Sequence, residues 1–116
     1  MPQMVRAAFR AMGTRVRCIA PLGHAAVDPA VERVRATFQQ EERRFSRFRG
    51  DSELSRVNAT AGSWTTVSPS FAELVRFALA AWDRTAGRFD PTLLGVMIAA
   101  GYDRDFDDIV AGARAE

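Results

Sequence analysis

Residues 46–58, SRFRGDSELSRVN, are the most informative stretch of the chain. Charged, hydroxyl and amide side chains are dense here, and three apolar residues stand between them: Phe48, Leu54 and Val57. Polar residues at this density are typical of turns and loops, and the apolar ones suit docking against a core. The stretch therefore predicts a turn-rich loop that docks on the domain and holds a polar ligand.

The residues before this loop predict a long amphipathic helix. Asp28-Pro29 is typical of a helix start, with Asp as the N-cap and Pro in the first turn. Apolar residues then recur at spacings of three, four or their multiples: Val31, Val34, Phe38, Phe45 and Phe48. We expect this helix to end near Phe48 to Gly50, and a short helical turn capped by Asp51 or Ser52 to follow.

Alternation of side chains predicts strands near the N-terminus. Residues 5–20 have a mostly period-two pattern with one interruption, which indicates two strands. Gly13 marks a bulge or a close backbone approach, because glycine reaches backbone angles that other residues avoid. Cys18 falls in this pattern and is expected to be a small core hydrophobe. Residues 64–67, WTTV, predict a further short strand.

The rest of the chain predicts helices that begin at Pro-containing caps. Ser68-Pro69 opens one helix, which Gly87 stops at its C′ position. Asp90-Pro91 opens another, which ends at about Ala100 before Gly101. The tail from Tyr102 is expected to begin as a charged turn, and its end, Asp107 to Ala113, to form one more helical turn. The fold class is therefore α+β: an N-terminal strand pair, amphipathic helices and a short strand, with a sheet too small to lack open edges.

Composition narrows the classes of function. The chain has 116 residues, enough for one domain, and a net charge of +2. Its 16 basic residues are all Arg and alternate with acidic ones, whereas a nucleic-acid binder more often clusters them on one face. We expect no nucleic-acid partner. The sequence has no apolar run of about 18 residues and no signal peptide, so it predicts a cytoplasmic protein without a membrane span.

The residues alone do not reveal catalytic machinery. The only histidine, His24, is expected in an exposed loop, and no metal cluster, catalytic triad or glycine-rich phosphate loop is legible. What remains is an α+β domain with three unusual polar turns. These are AMGT at 11–14, the 46–58 loop and FDPT at 89–92.

With these three motifs, the chain resembles the FAD:protein FMN transferases of the ApbE family from Phe9 to Gly112. The resemblance implies an incomplete part of that family's T-fold-related domain. It also implies that five residues shape an FAD pocket: Met12, Phe48, Asn58, Phe89 and Asp90. Thioether and aromatic groups suit a flat ring, and an amide suits a nucleotide edge. Many relatives carry tyrosine where this chain has Phe48.

Structural roles remain open for the same residues. Met12 would otherwise be a buried methionine at a strand end, and Phe48 the last member of the helix stripe. Asn58 would be a helix C-cap, and Asp90 an N-cap. The catalytic residues remain unknown.

The implied activity transfers FMN from FAD to a Thr or Ser of a target flavoprotein and releases AMP. The resemblance places the Mg²⁺ site outside this chain, in a later segment with Asp, Thr and glycine-rich motifs. We therefore expect 1–116 to be the N-terminal part of one transferase domain and to be inactive alone. Many family members are exported, so an exported location is also compatible with the resemblance.

Three other functions remain open at this point. One is FAD hydrolysis within the same family. The second is a non-catalytic interaction module that uses the helix face of Val31–Phe48. The third is nucleic-acid binding driven by Arg, which would depend steeply on salt.

Overall fold

A computed structural model describes residues 3–21 and 27–113; His24 lies outside these residues. The described residues form an α+β fold, as predicted. The elements in chain order are β1 (Met4–Ala11), β2 (Thr14–Pro21), α1 (Val27–Phe45), α2 (Glu53–Ala59), α3 (Pro69–Arg84), α4 (Leu94–Ala99) and α5 (Phe106–Ala113).

The two strands form an antiparallel hairpin that pairs Met4 with Pro21 and Ala11 with Thr14. Its loop is Met12-Gly13, with φ values of 52° and 69°. Positive φ at both loop residues defines a type I′ turn, whose twist matches that of the strands. Gly13 is therefore a hairpin turn residue. It is not a bulge, and a Cβ there would meet no atom within 4 Å, so close backbone approach is not the reason for glycine either.

The hairpin packs one face on α1. Phe9 and Ala11 point inward and are buried, whereas Arg10 between them is exposed. The Phe9 ring meets Phe38 of α1 edge to face, with centroids 5.7 Å apart. Cys18 on the same strand pair is half-buried, so it lies at the margin of the small core.

Helix α1 is shorter than its apolar pattern suggests. It ends at Phe45. The centroid of the Phe45 ring lies 6.0 Å from that of the buried Phe71 on α3. Phe48 is therefore not the last residue of the helix stripe, because the chain has already left the helix. At the other end α1 includes Val27, so Asp28 lies in its first turn and does not precede it.

Local capping signals for α2 and α3 are confirmed. Ser52 is the N-cap of α2 and accepts the Ser55 N–H, while Ser68 is the N-cap of α3 and accepts the Phe71 N–H. Pro69 occupies the first turn of α3.

The C-terminal end of α3 differs from the prediction by one residue. Thr85 is the C-cap, so Ala86 with φ 52° holds the C′ position and Gly87 follows it. The Gly87 N–H donates to the Trp82 carbonyl at 2.9 Å, which completes a Schellman motif.

One predicted strand is wrong, and the predicted start of one helix is wrong. Residues 64–67 form no strand, and Trp64 is fully exposed. Helix α4 begins at Leu94, so Asp90 is not its N-cap. The Asp90 carboxylate instead accepts the N–H of Thr92 at 2.8 Å and its hydroxyl at 2.6 Å, which closes a local turn.

Much apolar surface on α3 and α4 is exposed, including Phe77 at 70% and Val96 at 64%. Only three apolar side chains among the described residues are buried: Phe9, Ala11 and Phe71. No helix in the described part of the chain is both long and apolar enough to cross a membrane.

Candidate functional site

An open cleft of about 440 Å³ lies where the hairpin turn, the end of α1, the following turn and the start of α5 meet. We call it the Met12–Phe48 cleft. Its lining residues are Met12, Gly13, Glu41, Glu42, Phe45, Ser46, Arg47, Phe48, Leu54, Asp105 and Phe106.

Met12 reaches the cleft because it occupies the hairpin turn. Its φ is positive, and its backbone N–H donates to Glu42 Oε1 at 2.9 Å. This bond ties the tip of the hairpin to α1. The Met12 side chain is 50% exposed, so it is not a buried methionine at a strand end.

Glu42 lines the cleft and holds the hairpin turn, and the sequence did not predict either role. Its only signal was that Glu41 and Glu42 interrupt the apolar stripe of the long helix. The structure gives the reason for one of them, because the Glu42 carboxylate accepts the N–H of the hairpin turn.

Phe48 lies in the turn that follows α1 and is 46% exposed. The guanidinium carbon of Arg47 stands 4.2 Å from the centroid of its ring, a cation–π contact. Arg47 is itself held, since its Nη2 donates to the Tyr102 carbonyl at 2.6 Å. One face of Phe48 is therefore covered, and a ligand would meet the rest of the ring.

Ser52 holds the turn that carries Phe48. It is fully buried, donates its hydroxyl proton to the Ser46 carbonyl at 2.6 Å and accepts the Ser55 N–H at 3.0 Å. The Ser55 hydroxyl donates to the Arg49 carbonyl at 2.7 Å. These bonds close residues 46–55 into one structured loop.

Charged side chains of this loop also pair locally. Arg49 donates two hydrogen bonds to the Asp51 carboxylate, and these bonds hold the pKa of Asp51 below its usual value. Glu53 accepts the Ser68 N–H at 2.6 Å and the Ser68 hydroxyl at 2.8 Å. Many polar groups of the SRFRGDSELSRVN segment therefore build the loop itself, and Glu53 links α2 to the start of α3.

The other three predicted site residues do not line this cleft. Asn58 is exposed on α2, whose C-cap is Thr60, so the C-cap alternative for Asn58 is wrong. Phe89 is 48% exposed. Asp90 bonds to Thr92, which lowers the pKa of the Asp90 carboxyl. The structure thus brings Met12 and Phe48 to one cleft and leaves Asn58, Phe89 and Asp90 outside it.

Acidic residues outnumber arginines near the cleft, since Glu41, Glu42 and Asp105 line it beside Arg47. Asp103 and Asp108 line an adjoining cleft of about 520 Å³ together with Arg47, Arg49 and Arg104. Arg104 bonds to Asp103 at 2.8 Å and lowers the pKa of that carboxyl. Within 3–21 and 27–113, no group of three or more His, Cys, Asp or Glu side chains is arranged to hold a metal ion.

Comparisons with known proteins agree with this fold. The model of the ApbE family matches residues 12–113. The structure is similar to the crystal structure of the ApbE protein from Thermotoga maritima, with a TM-score of 0.78 and 22% identity. The match covers 90% of this chain but 34% of that one, so this chain spans about a third of the length of that protein. A search of curated proteins finds no match.

Proposed function

Because this chain belongs to the ApbE family, we propose that it forms part of the FAD site of an FAD:protein FMN transferase. In this reaction a Thr or Ser hydroxyl of a target flavoprotein attacks the FMN phosphorus of FAD. A phosphoester bond forms, the pyrophosphate bond breaks, AMP leaves, and the hydroxyl proton is released. FAD is the substrate and the target flavoprotein is the partner.

The observation that carries the proposal is that Met12 and Phe48 share one open cleft. The sequence motifs that contain them are far apart, and only the fold brings them together. Their side chains are 50% and 46% exposed, so both offer surface to a ligand. A polarizable thioether and an aromatic ring suit a flat heterocycle. The cleft volume of about 440 Å³ lies in the usual range of small-molecule sites.

The chain's own residues would bind and orient FAD. Phe48 would stack against a ring while Arg47 supports its covered face. Arg47 also lines the adjoining cleft, together with Arg49 and Arg104. The Glu42 bond to the Met12 N–H would keep the hairpin tip in place beside the ligand.

A divalent cation offsets negative charge on the pyrophosphate in reactions of this type. The described residues do not fit such a site, because they bring together no group of three acidic, Cys or His ligands. We propose that the ligands of this cation come from outside this chain. Asn58, Phe89 and Asp90 stay predictions of FAD contacts beyond the Met12–Phe48 cleft.

The test is FAD binding by calorimetry on the wild type, Met12→Ala and Phe48→Ala. Each substitution should raise the Kd about two- to tenfold, since each removes a surface that packs on a ring. Phe77→Ala is the matched control, because Phe77 is an exposed aromatic residue on α3 that does not line the cleft. Absence of FAD binding by the wild type, or equal affinity in all four proteins, would contradict the proposal.

FAD hydrolysis would use the same site. The products of the reaction distinguish hydrolysis from transfer. A hydrolase would yield free FMN and AMP without an acceptor protein, whereas a transferase would leave FMN bound to the acceptor. Mass spectrometry of the acceptor distinguishes the two.

Exposed apolar surface on α3 and α4 favours an interaction module as a second function. The helix face of Val31–Phe48 is less suitable for this role. Phe38 of this face packs on Phe9, and Phe45 packs on Phe71. A protein that self-associates without any affinity for FAD would support the interaction module over the transferase.

A further inference from the structure

A third aromatic side chain faces the Met12–Phe48 cleft. Phe106, the first residue of α5, lines it and is 56% exposed. The sequence predicted only a charged turn around this position. An apolar ring at the edge of a polar segment, open to a ligand-sized cleft, has no role in the small core formed by Phe9, Ala11 and Phe71.

Two interactions hold the segment around Phe106 at the cleft, and a third orders the segment itself. Arg10 Nη2 on β1 meets Asp107 Oδ2 at 2.7 Å, which joins the hairpin to the residue next to Phe106. Arg47 binds the Tyr102 carbonyl from the turn that carries Phe48. Asp105 accepts the Asp107 N–H at 3.1 Å and so orders the first turn of α5.

The interactions of Arg10 and Arg47 come from the two parts of the chain that carry Met12 and Phe48. Arg10 lies on the strand that leads into the Met12 turn, and Arg47 stacks on Phe48. The position of Phe106 is therefore coupled to Met12 and to Phe48, although α5 is far from both in sequence. This coupling is what an aromatic contact to a shared ligand requires.

We propose that Phe106 is a third contact to a flat ring of bound FAD and that the Arg10–Asp107 ion pair positions it. The inference rests on the proposed function and adds a residue to the same site. The ring is the isoalloxazine or the adenine of FAD, which share the flat aromatic surface that Phe106 would meet. Arg10 and Asp107 act through Phe106 and do not touch the ligand.

The ion pair is suited to positioning more than to stability. Its two side chains are 59% and 60% exposed, and exposed pairs contribute little to folding. Its loss should therefore change ligand binding without a marked change in melting temperature.

The first experiment measures the Kd of FAD, FMN and AMP for the wild type, Phe106→Ala and the control Phe77→Ala. Phe106→Ala should raise the Kd of FAD about two- to tenfold, and Phe77→Ala should not. The same loss for FMN assigns the isoalloxazine ring, and the same loss for AMP assigns the adenine. Wild-type affinity for FAD in Phe106→Ala, with weaker binding in Met12→Ala, overturns the inference and leaves the proposed function intact. A wild type that does not bind FAD overturns both.

A second variant keeps the test valid if Phe106→Ala fails to fold. Phe106→Trp retains the aromatic surface, and Trp fluorescence should be quenched by FAD in proportion to its occupancy, or by AMP if adenine is the ring. Trp82→Phe in the same background reduces the competing signal from a native tryptophan, and Trp64→Phe reduces the other. A saturating ligand that leaves the fluorescence of Trp at 106 unchanged overturns the inference.

The positioning role is tested by charge exchange. Arg10→Asp and Asp107→Arg should each raise the Kd of FAD about two- to threefold, within the modest energy of an exposed ion pair. The double variant, with the charges exchanged, should restore wild-type affinity. A merely structural role would lower the melting temperature of the single variants and leave the Kd of the folded protein unchanged. That result, or the absence of rescue, overturns the positioning role.

Discussion

Replacing Ser52 with alanine should destabilise the protein more than any other single hydroxyl removal in the 46–58 loop. Ser52 is fully buried, and its hydroxyl joins the Ser46 carbonyl at 2.6 Å to the Ser55 N–H at 3.0 Å. Ser52→Ala would leave both backbone groups without this partner. Loss of an N-cap costs about 0.5–2 kcal/mol and loss of a hydrogen bond about 0.5–1.5 kcal/mol. The expected loss of unfolding free energy is about 1–3 kcal/mol.

Urea denaturation followed by circular dichroism measures this loss. With a slope of about 1–3 kcal/mol per molar urea, the midpoint should fall by about 1 M. Ser63→Ala is the matched control, because Ser63 is exposed in the turn after α2 and should stay within about 0.5 kcal/mol of the wild type.

Ser52→Ala also tests whether the loop supports the FAD site. Since the Ser46 carbonyl belongs to the turn that carries Phe48, Ser52→Ala should also weaken FAD binding at temperatures where the variant is folded. An unfolding free energy within about 0.5 kcal/mol of the wild type would refute the reasoning that Ser52 holds this loop. Unchanged FAD affinity in a clearly destabilised variant would separate loop stability from the cleft.

Residues 1–116 alone should release no AMP from FAD in the presence of Mg²⁺ and an acceptor domain, because the metal ligands are proposed to lie outside them; AMP above a no-protein control would contradict this. The purified chain should self-associate through its exposed apolar surface, and Val96→Asp should shift light scattering toward monomer; a wild type that is already a monodisperse monomer would contradict it. Hydrogen bonds from the Ser68 N–H and hydroxyl lower the pKa of Glu53, so the stability they add is complete above the ordinary glutamate pKa of about 4.3 and is lost as the pH falls through the lower folded value. Glu53→Gln should lower the melting temperature at neutral pH and reduce its dependence on acid, and parallel acid-dependence in both proteins would argue against this role. Asn58→Tyr should weaken FAD binding, whereas Asn58→Ala should melt like the wild type because Thr60 is the C-cap; the opposite pattern would remove Asn58 from the FAD contacts.

Local signals in the sequence predicted their elements well where a few neighbouring residues suffice. Ser52 and Ser68 cap helices because each side chain reaches an N–H three residues ahead. The Asp-Pro signal at Asp90 failed because its carboxylate found nearer donors on Thr92. The 64–67 strand failed because β propensity needs a neighbouring strand, and the described residues supply none there.

The site was predictable only in part. The motifs that resemble the ApbE family named Met12 and Phe48, which the fold places in one cleft. Phe106 lies outside these motifs, and the charged residues on either side of it predicted a turn at this position. The roles of Glu42 and Arg10 were equally hidden, since each depends on a partner on another element.

By itself, the sequence determined the α+β class, the strand pair, the capped helices α2 and α3 and the resemblance to the family. These features rest on side-chain periodicity and on hydrogen bonds between near neighbours. Both depend on residues that lie close together in the sequence. Only the tertiary structure decided which polar turns meet, that Met12 occupies a type I′ turn and that α5 completes the cleft. Such contacts join residues as distant as Arg10 and Asp107, and a one-dimensional pattern carries no information about distance between elements.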